Sequence, residues 1–378
     1  MSFVLNTFSS LCETYPTWEV LSAYLQSEAG GKLRIISYPA EQKSIVRYVK
    51  GVSDMSLAHV RMFRSVVWDT VKNRPICVAP VKAEPRQDAI PEGSYWVSEF
   101  VDGVMMNVFR DASGQTQIVT RTNLGAHNRF YGDRSFAELF KEATPNTISW
   151  DNILQPNQFL SVVIQHPEHT TVANFRQCRI YVTQVGEVEA NGKIKIHISP
   201  DFWPTTIRGF APFNYSNYCI EAPPVFRSYK FKGYVVQTTN MYTRFRIVNP
   251  DYEKVRALIG NESNVAQRFL RLRKEGKVKE YLTYFHEQSK EMWEFEQTFR
   301  QKTHELYEAY CEVNKTKTKT MKDIPIPFRT HVYELQGEYL KSLPKPGQDI
   351  KPVPIRKETV IARVNGLTPE EQLKVFEA

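Results

Sequence analysis

The sequence predicts an α+β protein, with an antiparallel-rich β domain over residues 1–250 and an all-helical domain over 251–378. Three observations carry this. From about residue 30 to 248, short β-rich runs alternate with turn residues (LRIIS, SIVRYV, RSVVWD, ICVAPV, YWVSEF, MMNVF, QIVTR, FLSVVIQ, RIYVTQV, KIKIHI, YVVQT, RFRIV), which is the signature of strands. Asn191-Gly192 separates RIYVTQV from KIKIHI, and a pair that tolerates positive φ marks a hairpin. After Pro250 the apolar residues recur at three and four, as on one face of a helix. Strands first and helices afterwards, without βαβ alternation, exclude a doubly wound sheet.

Within the β-rich part, helical spacing is confined to WEVLSAYLQSE (18–28), SFAELFKEA (135–143) and 203–210. Beyond Pro250, the runs DYEKVRALIG, AQRFLRLRKEG and KEYLTYFHEQ precede a long helix over 288–314. On it Met292, Phe295, Phe299, Leu306, Tyr307, Tyr310 and Val313 form a stripe that reads as a core seam. NKTKTKTMKD is a polar loop, and a further helix over 328–343 closes at Leu343-Pro344. The Pro-rich PKPGQDIKPVP (344–354) leads to a last helix after Thr368-Pro369. No internal repeat is visible.

A hydrophobic fraction of 42% and an aromatic fraction of 12% in 378 residues suit a globular chain with large cores. No apolar run approaches about 18 residues, so no membrane partner is expected. The opening MSFVLNTFSSLCETYP lacks a basic region ahead of an apolar stretch, which leads to the expectation of an intracellular protein. Cys12, Cys77, Cys178, Cys219 and Cys311 are scattered, with no CxxC pair, so reduced thiols are expected and neither a disulfide framework nor a zinc site. Lys and Arg exceed Asp and Glu by 49 to 41, a net charge of +8. That excess favours a polyanionic partner, nucleic acid foremost, and is also compatible with plain solubility charge.

Five stretches stand in the order of a nucleotidyl-transferring ligase: EFVDGVMMNVF (99–109), TRTNLGAHNRF (120–130), FLSVVIQHPEHTTV (159–172), FKGYVV (231–236) and TRFRI (243–247). With FRSVVWD (63–69) before them and RFRIVNPDYEKVRALIGN (244–261) after, the chain resembles the T-even phage RNA ligase family, and more closely a divergent giant-virus branch of it. The resemblance implies an adenylyltransferase β domain followed by a helical domain, RNA as partner, and ATP with Mg²⁺ as cofactors if the chain is active. It also implies host cytoplasm or virion as the setting.

The departures from that family pattern bear on the chemistry. The family's first motif reads Lys-x-Asp-Gly, whose lysine amine attacks the α-phosphate of ATP. Asp102-Gly103 is kept here, but Phe100 stands in the lysine's place. Ser161 or Val163 replaces the ribose-binding glutamate, and Lys232-Gly233 replaces the Glu-Gly of the metal-side strand. The two lysines of the last motif become Arg244 and Arg246. The resemblance thus implies a nucleotide- or phosphate-binding site of Arg64, Arg121, Asp102, Gly103, Lys232, Arg244 and Arg246, whose basic residues line an anion site with neither nucleophile nor metal-ligating acid. The expectation is a degenerate RNA-ligase-like protein that binds RNA or nucleotide phosphate without adenylyl transfer.

Two alternatives stand beside it. One is an active ATP-dependent RNA ligase using another lysine, for which Lys82 in VAPVKAEPRQD is the best candidate; Lys82 also reads as a solvated strand-end lysine. The other is a structural virion or assembly protein whose cleft is filled. His166, Glu168 and His169 in HPEH have metal-compatible spacing, but Pro167 favours a turn. His127 reads as an exposed loop histidine, and KTKTKT (315–320) as a solvated loop or an RNA-backbone contact. No Gly-rich P-loop, HExxH or G-x-S-x-G elbow occurs.

Overall fold

The β-rich runs form strands that pair almost wholly antiparallel. A computed structural model describes residues 2–86, 95–111, 114–129, 132–145, 149–169, 171–198, 215–217, 226–239, 241–262, 264–344 and 351–378. The predicted helix at 203–210, and Cys219, lie outside the described residues. The chain divides into two compact units, Met1–Lys254 and Val255–Ala378.

The strands of the first unit are β1 (Ser2–Leu5), β2 (Arg34–Tyr38), β3 (Lys43–Arg47), β4 (Val66–Asp69), β5 (Arg74–Val78), β6 (Glu84–Pro85), β7 (Tyr95–Glu99), β8 (Val104–Arg110), β9 (Thr116–Val119), β10 (Gln158–Gln165), β11 (Arg179–Val188), β12 (Ile194–His197), β13 (Tyr215–Asn217), β14 (Gly233–Thr238) and β15 (Arg244–Val248). They build a six-stranded sheet ordered β1-β12-β11-β10-β8-β9, a five-stranded sheet ordered β13-β7-β14-β15-β6, and a four-stranded sheet ordered β2-β3-β4-β5. Among the described residues, the short pairing of β6 with β15 is the parallel one. The hairpin expected at Asn191-Gly192 joins β11 to β12. Gly192 takes φ 84°, whereas Asn191 is not among the positive-φ residues and instead accepts the Lys193 N–H on Oδ1 at 3.0 Å. One left-handed residue is enough because the loop from Val188 to Ile194 is longer than a two-residue turn.

Alternation along the strands decides what each sheet covers. On the six-stranded sheet Met106, Val108, Leu160, Val162 and Ile164 face Phe136, Leu139 and Phe140 of helix Phe136–Ala143. That helix opens on a capping box in which Glu138 N–H donates to Ser135 Oγ and Ser135 N–H to Glu138 Oε2. The four-stranded sheet packs Ile45, Val66 and Trp68 against Phe8 and Leu11 of a helix missed in the sequence, Thr7–Thr14, and Leu21 and Leu25 of Trp18–Gln26. Thr7–Thr14 is short and its apolar residues are few, so its periodicity was not legible.

In the second unit the expected long helix is Ser289–Tyr310, with Met292, Phe299, Leu306 and Tyr310 buried. It continues as a π turn over Cys311–Lys315, closed by the Thr316 N–H on Cys311 O at 2.9 Å. The KTKTKT loop thus begins inside a widened last turn. Helix Ile326–Lys341 and the last helix, Pro369–Phe376, lie where they were expected; Lys357–Gly366 was not expected. Among the described residues, no helix is long and apolar enough to cross a membrane.

Candidate functional site

The Asp-Gly pair lies where the chain crosses from one sheet to another. β7 ends in the five-stranded sheet at Glu99 and β8 begins in the six-stranded sheet at Val104. A Cβ on Gly103 (φ 157°) would lie 2.4 Å from Ile164 O and 2.8 Å from Val163 Cγ1, so the crossing admits no side chain. Asp102 is buried, and its carboxylate accepts from Thr171 Oγ1 at 3.1 Å and from the Val172 N–H at 3.4 Å. Lys232 Nζ lies 3.4 Å from Asp102 Oδ1 and 4.3 Å from the centroid of the Phe100 ring, with the Tyr252 ring at 5.7 Å. Lys232 and Phe100 therefore touch each other, as a cation over an aromatic face.

The pairing at Asp102 places the Lys232 ammonium there, apart from the arginines expected with it. Gly233 pairs with Val248 and Gln237 with Arg244, so Lys232 and Arg244 flank opposite ends of the β14–β15 pair. Lys232 stands five residue steps along the strand from Gln237, the partner of Arg244, roughly 17 Å at about 3.4 Å per residue. The buried Asp102 carboxylate attracts the ammonium away from the arginines. Phe245, the neighbour of Arg244 on β15, does not share the face of Val235. It packs with Tyr95, Val97 and Val236, on the face opposite Val235, because neighbours along a strand point to opposite sides.

The strand expected to carry the ribose-binding acid is occupied by packing instead. Ser161 is fully buried, donates to Asn107 Oδ1 at 2.7 Å and accepts from Gln184 Nε2 at 3.1 Å. Tyr242, from the β14–β15 connection, donates to Gln184 Oε1 at 2.6 Å, and burial raises its pKa to about 12. The space between Trp96, Ser98, Thr183, Ile198, Val235, Gln237 and Arg244 is a cavity of about 20 Å³. That is room for a water, whereas ligand pockets run to several hundred Å³.

The arginines do come together. Arg121 Nε donates to Arg64 O at 3.3 Å and Nη2 to Tyr48 O at 3.2 Å, its guanidinium lying 5.0 Å over the Tyr48 ring. Arg64 Nη1 donates to Pro80 O and Arg244 Nη1 to Val81 O, each at 3.3 Å, so two heads are anchored on adjacent carbonyls. Burial, with the charges of Arg244 and Arg121, lowers the pKa of Arg64 to about 10, which leaves it charged at neutral pH. Arg246 shares the Arg244 face of β15 but stands nearer the middle of the strand, and its Nε is buried without a partner. Two arginines missed in the sequence extend the group: Arg47, lowered by burial and by Arg121 and Arg34, and Arg34 itself. They lie before the motifs, on strands that read as ordinary. Arg34, Arg47, Arg64 and Arg121 pair with no carboxylate among the described residues.

The remaining candidates have local roles. Lys82 Nζ pairs with Glu84 at 3.0 Å, both half-exposed. His127 is exposed. His166-Pro167-Glu168-His169 is a turn closed by the His169 N–H on His166 O at 3.0 Å. Glu142, His166 and Cys178 bring three possible ligand atoms within 4.8 Å. However, the Glu168 N–H donates to His166 Nδ1 at 3.1 Å, so the neutral ring carries its proton on Nε2, facing Glu142 at 3.5 Å. A metal at Nε2 would put the ring proton on Nδ1, against the Glu168 N–H that donates there, so ligation would cost this hydrogen bond. In KTKTKT, Lys315 reaches Ile355 O at 2.8 Å and Lys319 pairs with Glu312 at 2.9 Å. Comparison with models of known families finds no match, and comparison with curated proteins finds none either.

Proposed function

We propose that this chain is a degenerate RNA-ligase-like protein that binds RNA or nucleotide phosphate without adenylyl transfer. One observation carries the binding half: Arg64, Arg121 and Arg244 are held together on backbone carbonyls, and Arg64 and Arg121 have no carboxylate partner among the described residues. Each guanidinium has five N–H donors, and the carbonyl contacts of Arg64 and Arg121 use one or two of them. Donors remain for phosphate oxygens, and the heads are preorganised to give them. The loss of transfer chemistry is supported by Phe100 in the nucleophile's place, by Lys232 bound to Asp102, and by a buried Ser161 in place of the acid.

Binding is tested by the salt dependence of affinity for a labelled single-stranded RNA. Three phosphate contacts predict a log–log slope of about −2, at about −0.7 per contact, with little dependence on sequence. Arg121→Ala with Arg244→Ala should flatten that slope by about 1.4 and weaken all RNAs alike. A second reading, a structural or assembly protein on the same fold, draws on the small cavity of about 20 Å³ beside Val235 and Arg244. RNA binding undetectable at low salt would favour it.

Incubation with labelled ATP and Mg²⁺ should leave no AMP adduct that survives denaturation. Deleting a covalent nucleophile removes the route rather than slowing it. A stable labelled band lost in Lys82→Ala would restore the ligase reading.

A further inference from the structure

We infer that Arg64, Arg121 and Arg244 form one end of a longer row of guanidinium groups that continues through Arg47 to Arg34, and that its ligand is an extended chain of phosphates, not a mononucleotide. This rests on the phosphate-binding reading above and specifies the length and form of what binds.

The row is built link by link from the backbone. Arg34 on β2 stands directly opposite Arg47 on β3 in the antiparallel register. The Arg121 guanidinium bonds the carbonyl of Tyr48, the residue after Arg47, and by its other edge the carbonyl of Arg64. Arg64 and Arg244 then bond the adjacent carbonyls of Pro80 and Val81. Like charges directly opposite each other across a strand pair are destabilising, so the Arg34–Arg47 juxtaposition costs stability unless an anion lies between the two heads. Arg47 Nε is buried without a partner, which adds to that cost. β2 is an edge strand of its sheet, and Arg34 and Arg121 are exposed while Arg47, Arg64 and Arg244 are half-buried. The row therefore runs from the solvent-exposed sheet edge to a more enclosed end.

One phosphate group can engage two guanidiniums through its oxygens. Adjacent strands are about 4.8 Å apart, so the β2–β3 pair already spans the reach of one phosphate. Five heads drawn from β2, β3, the residue before Ser65, the turn after β9, and β15 need several phosphates in line. The chemistry common to single-stranded nucleic acid and inorganic polyphosphate meets that need; ATP reaches one end of the row.

The test measures affinity against salt for ATP, for oligouridylates from the dinucleotide to about the dodecamer, and for inorganic polyphosphate of matching charge. The log–log slope should steepen with oligouridylate length from about −0.7 for the dinucleotide's single phosphate to between about −2 and −3.5 for the roughly three to five phosphates that five heads engage, then level off. Arg34→Ala, at an exposed edge position, should leave ATP and the dinucleotide unchanged and flatten the dodecamer slope by about 0.7; Arg34→Glu should weaken the dodecamer further. Tighter binding of the oligouridylate than of polyphosphate assigns the row to nucleic acid; equal binding assigns it to phosphate chains in general, and both support the inference. A slope independent of length, or an Arg34→Ala effect equal for ATP and dodecamer, overturns it while leaving the shorter phosphate site intact. Absence of binding to every probe overturns both readings.

Discussion

Lys232→Met should destabilise the first unit by about 3 kcal/mol, read as a lower urea midpoint of tryptophan fluorescence. Asp102 is only 5% exposed, and with the ammonium gone its charge would keep the Thr171 hydroxyl and the Val172 N–H alone. Removing one partner of a buried ion pair is costly because the other is left uncompensated. Methionine retains most of the apolar stem over Phe100, so the loss reports the charge and not the packing. Adding Asp102→Asn should recover most of the stability, since the neutral amide no longer needs a counter-ion. A loss under about 1 kcal/mol for the single change would mean that the Asp102 pairing contributes little and does not withhold Lys232 from phosphate.

That outcome also bears on what the sequence made legible. The α+β order, the strand runs and the long helix could be read because alternation and three-four spacing are local and survive packing. The helices Thr7–Thr14 and Lys357–Gly366 could not, because few residues on each face the core. The candidate site was legible only where one motif sufficed. Arg64, Arg121 and Arg244 were named as candidates from their motif positions, and carbonyls of Arg64, Pro80 and Val81 anchor their side chains near one another. Arg34 and Arg47 were missed because nothing in LRIIS or SIVRYV marks a charge opposed across strands; register alone reveals it. Lys232 was assigned to phosphate by position along the chain. A long flexible stem lets its charge go wherever the nearest buried carboxylate lies, and that destination is not written in the motif.

Gly103→Ala should cost about 2–4 kcal/mol, and it should do so in the protein without any nucleotide present. The added Cβ would meet Ile164 O at 2.4 Å, far inside contact distance, and Val163 Cγ1 at 2.8 Å. Neither neighbour can yield cheaply: Val163 and Ile164 pair with Met105 and Val104 in the β8–β10 ladder, and on the other side with Tyr181 and Ile180 of β11. Moving that carbonyl means breaking hydrogen bonds in the centre of the six-stranded sheet, and φ 157° adds backbone strain for any residue with a Cβ. Gly132→Ala is the control, because nothing lies within 4 Å of its would-be Cβ and its φ is ordinary. The comparison matters for reading the motif itself. An Asp-Gly pair in a ligase-like sequence invites the inference that the glycine admits a nucleotide. Here the crossing between two sheets requires that glycine, and the pairing with Lys232 occupies the aspartate, so both can persist with no nucleotide chemistry behind them. If Gly103→Ala were as stable as Gly132→Ala, the packing account of the motif would fail, and a ligand-facing role for Gly103 would be the better explanation of its presence.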